Sequence, residues 1–307
     1  MGLFFKNYDD AGPGISKNEP KKKGAARFFD LFGRKFWSLM WLNIHYFLAF
    51  IPLFLMIPVL YYLSDHTVQL ILTLLLAVVF AVIIGPATAG MMRVLRLFFI
   101  EKHSFISRDF FVGVRKNFKK AAIIGALDCL ILLSAYASSN VYPVLAMQYS
   151  KLFYLPMVLT FSIFLIVFMM NFYIFLMLTA TDLPLKDLLK NSFTLSISSP
   201  KRNLTVAAVF IAVMSFMAVL LLKAFPLFTL LLPIFPAAFL GFVVTFICYP
   251  MIQKYIIDPY YTDKGMVNPE YLTESDDDGE EPIFEDMGGK EAPIEKRKKS
   301  KGKVSIK

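Results

Sequence analysis

The sequence has few of the residues that build catalytic or metal centres. Its 307 residues include two cysteines and three histidines. Cys129 and Cys248 both lie inside apolar runs, which excludes a disulfide framework and a CxxC metal knuckle. The histidines fall in different segments without the HExxH spacing of zinc enzymes. The phosphate-binding motif GxxxxGK[ST] and the nucleophile elbow GxSxG do not occur either, so we expect no enzyme activity, no metal and no cofactor.

Charged residues are scarce as well. They make up 18% of the chain, whereas 57% is hydrophobic and 16% aromatic, and the mean hydropathy is +0.60. An ordinary soluble domain has about 25% charged residues. One soluble core does not absorb so many apolar side chains, because cores stop growing at about 250 to 300 residues. The composition therefore predicts an integral protein of the lipid bilayer.

Apolar runs near the length of a spanning helix, about 20 residues, occur six times. We predict an all-α, polytopic membrane bundle of about six transmembrane helices at 36–260, with a basic N-terminal tail at 1–35. The C-terminal tail at 261–307 carries an acidic block followed by a basic block and is predicted to be disordered. Prolines crowd the start of the sixth span and remove backbone donors there. The predicted spans are 36–63, 68–92, 121–140, 152–181, 204–222 and 228–252.

The 32 lysines and arginines are distributed unevenly along the chain. Three of the five loops together contain only two cations, Lys151 and Lys223. The other cations lie in the two tails and in the loops after the second and fourth spans. Because cytoplasmic loops carry the excess of cations, we predict a multi-pass plasma-membrane protein with both termini in the cytoplasm. Four or five spans would place one basic loop outside. The net charge of +9 then needs no nucleic-acid partner.

Two of the basic loops are predicted to form amphipathic elbow helices on the cytoplasmic side. The first, at 105–120, has Ser107 as its expected N-cap. The second follows Pro184. The likeness between the elbows is compatible with a weak internal repeat of 68–140 and 152–222, and it is also what any helix leaving the membrane interface acquires. The candidate anchor or docking residues are Arg93, Arg96, Phe110, Phe111, Arg115, Lys119, Lys201 and Arg202.

Polar residues inside the predicted spans are candidates for function. Asp128 lies eight residues after Lys120, which is roughly 12 Å into the membrane at about 1.5 Å per residue. Asn43, His45 and Asn171 lie at a comparable depth. One hypothesis is that these four side chains form a polar cluster open to the cytoplasm. The alternative is that Asp128 only fixes helix packing, hydrogen-bonded by Asn43 or Asn171 or reached by Lys120 or Arg93. Arg93 and Arg96, three residues apart, either grip a phosphate or carboxylate or anchor the topology.

The run Gly85-Pro86-Ala87-Thr88-Ala89, followed by Arg93, Arg96 and Phe110-Phe111, resembles the YesL-like family of integral membrane proteins from Gram-positive bacteria. A second signature is matched by 189–193 and by Pro200-Lys201-Arg202, and the resemblance covers about 27–260. It implies a membrane protein whose biochemical role is not established. It also implies a genomic association with carbohydrate uptake and breakdown, and hence a sugar transporter permease as a partner.

Two functions follow from these observations. The first is a non-enzymatic accessory or regulatory component that docks through its elbows beside a carbohydrate uptake system. The second is a small-solute transporter or channel whose path passes Asp128. A stripe of small residues at Ala81, Gly85 and Ala89 lets another helix approach closely, which fits packing within the chain, a partner subunit or a homo-oligomer.

Overall fold

The computed structural model describes residues 22–271. The predicted tail segments at 1–21 and 272–307 lie outside the described residues. Within the described part every regular element is a helix, and six helices are long and apolar enough to cross a bilayer. These findings confirm the predicted all-α, multi-pass bundle.

The described residues form ten α-helices. The six candidate spans among them agree with the predicted spans, although some boundaries differ. α1 begins before the predicted start of the first span, and it joins α2 through a short 3₁₀ turn. A π-helical turn joins α9 to α10, and the six candidate spans are α1 with α2, α3, α4, α5, α7 and α9 with α10. The helices are α1 (Gly24–Phe47), α2 (Ile51–Tyr62), α3 (His66–Phe99), α4 (Ile106–Gln148), α5 (Tyr154–Ala180), α6 (Leu185–Ser198), α7 (Pro200–Lys223), α8 (Phe225–Leu231), α9 (Pro236–Ile252) and α10 (Asp258–Asp263).

The last span is the most buried of the six. α9 contacts α1, α3, α5 and α7. Of the most apolar part of its span, 61% is buried, against 28% or less in the other five spans. A helix that is apolar on all sides is surrounded either by protein or by lipid, and in α9 the surroundings are mostly protein. Gly241 permits close contact here, since a Cβ at this position would lie 2.6 Å from Leu95 Cδ1.

The bundle has a basic end, which holds the start of α1, the α3–α4 connection and the α5–α6 connection. Arg27 Nη2 donates to the carbonyl of Phe99 at 2.9 Å, and Lys120 Nζ donates to the carbonyl of Leu183 at 2.8 Å. The core lies in the half of the bundle next to this end. In α3 the buried residues start at Gly85, and in α5 they start at Phe172, so only the later part of each helix is buried. The apolar side chains exposed in the other half are suited to contact with lipid.

The first predicted elbow is not a separate helix. α4 continues from Ile106 to Gln148, so the elbow and the third span form one helix of 43 residues. The sequence has no proline before Pro143 in this stretch, and nothing forces a break at the basic residues. The predicted N-cap at Ser107 is wrong, because Phe105 is the N-cap of α4. The backbone N–H of Phe105 donates to the Asp109 carboxylate at 2.9 Å. The second elbow is a helix of its own, α6.

The sixth span is interrupted where its prolines lie. α8 ends at Leu231 and α9 starts at Pro236, and each of the two helices has a proline in its first turn. Proline suits the first turn because its missing N–H has no intrahelical acceptor there. The interruption between α8 and α9 leaves backbone groups without partners in a helix. A side chain of α1 forms hydrogen bonds with two of these groups.

Candidate functional site

The four polar side chains predicted to form one intramembrane cluster lie in three different places. Asn171 Nδ2 donates to Asp128 Oδ1 at 2.8 Å, which links α5 to α4. Asn43 and His45 have other partners. The structure therefore brings two of the four residues together and does not form the single cluster.

Asn43 joins α1 to the interrupted sixth span. Its Oδ1 accepts a hydrogen bond from the backbone N–H of Ala238 at 2.7 Å, and its Nδ2 donates to the carbonyl of Leu232 at 3.2 Å. The first bond satisfies one of the free N–H groups at the start of α9, as an N-cap would. Asn43 is 1% exposed, and its role is to hold the two helices together.

His45 joins α1 to the first turns of α4. Its Nε2 lies 2.9 Å from Ser107 Oγ, and its Nδ1 lies 2.9 Å from the carbonyl of Trp41. Because a carbonyl only accepts, Nδ1 donates to Trp41, and Nε2 forms a hydrogen bond with the serine hydroxyl. The imidazole ring also packs against Phe110 and Phe111. His45 thus fixes the position of the elbow segment.

The Asp128–Asn171 pair lies between two small cavities. Asp128 lines a cavity of about 210 Å³ beside Gly85 and Cys129. Asn171 lines another of about 280 Å³, whose walls are mainly phenylalanine and methionine. Thr88 lines both cavities, and the buried Oδ1 of Asn171 has no hydrogen-bond partner among the described residues. The pair is a polar site inside a mostly apolar surrounding.

The motif Gly85-Pro86-Ala87-Thr88-Ala89 lies at a close crossing of α3 and α4. A Cβ on Gly85 would lie 1.9 Å from the carbonyl oxygen of Ala121, and one on Gly125 would lie 2.6 Å from the backbone nitrogen of Gly85. The backbones of α3 and α4 therefore touch. The small-residue stripe is used by a helix of the same chain, and it gives no support to a homo-oligomer.

Thr88 of this motif also carries a hydrogen bond. Its hydroxyl donates to the carbonyl of Ile84 at 2.8 Å, and Tyr46 Oη lies 3.2 Å from the same hydroxyl oxygen. Since the threonine proton is used, the tyrosine donates. Tyr46 thereby ties α1 to α3 beside the Asp128–Asn171 pair.

Arg93 and Arg96 do not act as a pair. Arg93 Nη2 lies 3.9 Å from Asp109 Oδ1 of α4, whereas Arg96 Nη1 donates to the carbonyl of Thr179 at 3.2 Å and lies 3.7 Å from Glu270 Oε1. The two guanidinium groups thus bind different parts of the chain. Of the other predicted cations, Arg202 Nη1 donates to the carbonyl of Ile247 at 3.3 Å, and Lys201 is exposed.

We call the first part of α4, residues 106–120, the arm. Its predicted docking residues divide between two faces. Phe110 is buried against the bundle, whereas Phe111 is 48% exposed. The residues that share the outer face of the arm, which we call the docking face, recur at helical spacing. They are Arg108, Phe111, Arg115, Phe118 and Lys119, all exposed.

Three residues with close polar contacts were not found from the sequence. Tyr249 Oη and Gln253 Nε2 both donate to the carboxylate of Glu270. Glu270 lies in the part of the sequence predicted as a tail, and no motif marks the other two. A tyrosine and a glutamine four residues apart share a helix face, but this spacing alone does not indicate a carboxylate partner.

Part of the chain matches a known protein family. Residues 39–138 match a family described as "Protein of unknown function, DUF624". This is the YesL-like family that the motifs resemble. The DUF624 region covers about a third of the chain and contains the glycine crossing, the arm and Asp128, but not Asn171. No curated protein and no solved structure matches the chain.

Proposed function

We propose that this protein is a non-enzymatic accessory or regulatory subunit of a membrane transport system, and that it binds its partner through the docking face of the arm. The observation that carries the proposal is the exposure of aromatic and cationic side chains along one face of a firmly held helix. Tyrosine, tryptophan and arginine dominate the binding energy of interfaces, and phenylalanine is also enriched there. The docking face offers two phenylalanines and two arginines.

The arm is held in one position before any partner arrives. A Cβ on Gly113 would lie 2.9 Å from Gly90 Cα, so the arm packs directly on α3. His45 and Lys120 tie its two ends to α1 and to the α5–α6 connection. A surface that is already ordered loses little conformational entropy on binding, which supports a docking role.

The nature of the partner is proposed from two further arguments. The excess of cations at the basic end favours its placement in the cytoplasm, where the arm would meet the cytoplasmic face of a permease. The resemblance to the YesL-like family favours a carbohydrate uptake system in a Gram-positive bacterium. A plasma-membrane permease for sugars is thus the partner to test first.

The test is site-specific photocrosslinking in the native membrane. A benzophenone amino acid replaces Phe111 in one variant and Tyr61 in a control. Tyr61 is 84% exposed and lies at the end of α2, far along the chain from the arm. We expect a crosslinked permease subunit from position 111, identified by mass spectrometry, and none from position 61.

One result would contradict the docking role, and another would contradict only the link to carbohydrate uptake. Crosslinks to lipid alone at position 111 would show that the docking face lies on the bilayer. A protein partner unconnected with carbohydrate uptake would remove that part of the proposal and keep the docking role.

A transporter or channel is the second candidate, because the Asp128–Asn171 pair lies between two cavities. Both cavities are small, and the residues lining them include neither Asn43 nor His45. A polar path linking the predicted cluster to one face of the bundle would have favoured transport. The separation of the cluster favours the accessory role instead.

A further inference from the structure

The carboxylate of Glu270 is bound by three side chains from the helices of the bundle. Tyr249 Oη donates to Oε1, and Gln253 Nε2 donates to Oε2 at 2.8 Å. The guanidinium of Arg96 lies 3.7 Å from Oε1. The side chains of Arg96 and Glu270 are only 15% and 12% exposed. Each carboxylate oxygen thus has its own donor, and one cation balances the charge.

The three donors do not depend on the segment that carries Glu270. Arg96 belongs to α3, Tyr249 to α9 and Gln253 to the π-helical turn that follows α9. Their positions are set by the bundle, since Tyr249 is fully buried and Arg96 also binds the carbonyl of Thr179. The carboxylate site would therefore persist if Glu270 left it.

The segment that carries Glu270, residues 266–271, crosses the basic end as a strap. Gly265 adopts a positive φ of 65° and turns the chain back after α10. The strap buries little apolar surface: Met266, Val267 and Tyr271 are each at least 50% exposed. It is held mainly by polar contacts, including the bond from Lys102 Nζ to the carbonyl of Pro269 at 2.9 Å. Segments with few buried apolar contacts open at low free-energy cost.

A cavity of about 600 Å³ adjoins the carboxylate site. Arg96 of the bundle lines it, as do Leu97, Tyr260 and Tyr261, which give it apolar walls. One side is closed by Asn268, Pro269 and Glu270 of the strap, so the cavity opens on that side when the strap leaves. The volume falls within the range of about 300 to 1,000 Å³ that small-molecule sites occupy. The Nε of Arg96 is buried and has no hydrogen-bond partner within the described part of the chain, so the guanidinium has a donor to spare.

We propose that Arg96, Tyr249 and Gln253 form a binding site for a small-molecule carboxylate, and that Glu270 occupies this site from within the chain until a ligand displaces the strap. The carboxylate of the ligand takes the place of the Glu270 carboxylate, and its apolar body lies in the adjoining cavity. Once Glu270 leaves, Arg96 loses the carboxylate that lies 3.7 Å from its guanidinium, which favours replacement by another anion. The single cation and two neutral donors match a monoanion better than a phosphate. This site is separate from the docking face.

The test measures binding of benzoate to the full-length protein in detergent micelles by calorimetry. The variants are Glu270→Gln and Glu270→Ala, and Asp263→Ala is the matched control, because Asp263 is an exposed carboxylate near the strap. Glutamine keeps the shape of the side chain but loses the charge, so it competes less for Arg96. We expect benzoate to bind both Glu270 variants at least about tenfold more tightly than the wild type, a difference of about 1.4 kcal/mol. Asp263→Ala should bind benzoate like the wild type.

Three further measurements make the assignment specific. Adding Tyr249→Phe to Glu270→Gln should weaken benzoate binding, because one donor is lost while the ring remains. Benzamide, which has the same shape and no charge, should not bind. Inorganic phosphate at equal ionic strength should bind more weakly than benzoate.

The proposal is overturned by equal benzoate affinity in the Glu270 variants and Asp263→Ala, or by no effect of Tyr249→Phe. Benzamide binding as tight as that of benzoate would show a purely apolar site. Tighter binding of phosphate would overturn the assignment to carboxylates.

Discussion

Asp128 shows how one ionisable residue is kept inside a membrane span. A carboxylate at the centre of a spanning helix costs about 2.5 to 3.5 kcal/mol on insertion scales. Here Asn171 donates a hydrogen bond to it, and both side chains are half-buried where α4 contacts α5. The sequence marks both residues as unusual, but the bond between them depends on how α4 and α5 pack.

We expect Asp128→Asn to fold as the wild type does, because the new amide still offers an oxygen to Asn171. Asp128→Ala should lower the stability by about 1 to 3 kcal/mol, since it leaves a donor of Asn171 without that acceptor. Thermal unfolding in detergent measures both. A contrary outcome is that Asp128→Asn keeps its unfolding temperature but loses partner capture or solute flux. That result would show that the charge of Asp128 has a function beyond holding α4 and α5 together.

At Gly85 there is no room for even one methyl group between α3 and α4. Gly85→Ala places a carbon 1.9 Å from the carbonyl oxygen of Ala121, so α3 and α4 must move apart. Overpacking of this kind typically costs about 1 to 3 kcal/mol, and the unfolding temperature should fall. Gly33→Ala is the control, because a Cβ there meets nothing within 4 Å and alanine favours a helix interior by up to about 1 kcal/mol. Equal behaviour of the two variants would contradict the close crossing.

At the scale of whole elements, Asn43 supplies side-chain hydrogen bonds between α1 and the interrupted sixth span, in addition to the aromatic contacts of Phe28 and Phe32 with α9. Asn43 bonds to both ends of the interruption in the sixth span. We expect Asn43→Ala to lower the stability by about 1 to 2 kcal/mol, the usual cost of losing a helix cap. Asn140→Ala serves as the control, since Asn140 is exposed and its side chain bonds only to residues of its own helix. Hydrogen exchange should locate the loosening at the start of α9, and exchange unchanged there would show that the cap is dispensable.

The helices themselves follow largely from the sequence, whereas their joints do not. Six apolar runs predicted six spans, because the thickness of a bilayer fixes the length of a helix that crosses it. The continuity of the arm with the third span was missed, since the change from polar to apolar residues resembles a loop boundary but contains no helix breaker. The break between α8 and α9 was signalled by its prolines.

At the scale of the whole molecule, the orientation in the membrane is a prediction from charge. Lys116→Cys lies on the arm and Tyr62→Cys lies at the end of α2; both side chains are exposed. We expect a membrane-impermeant maleimide added to intact cells to label position 62 and to label position 116 only after permeabilisation. The parent protein, with Cys129 and Cys248 alone, gives the background. Labelling of position 116 in intact cells would place the basic end outside.

The sequence by itself determined the class of the protein: a membrane bundle of six apolar helices with its cations gathered in particular loops. Hydrophobic length and charge are properties of a segment, so they can be read without knowing its neighbours. Only the tertiary structure decided which polar groups meet. It joined Asp128 to Asn171, separated Asn43 and His45 from them, and placed Glu270 on Arg96. These pairings join residues that are far apart in the chain. They depend on helix packing and on a turn at Gly265, so no local pattern in the sequence predicts them.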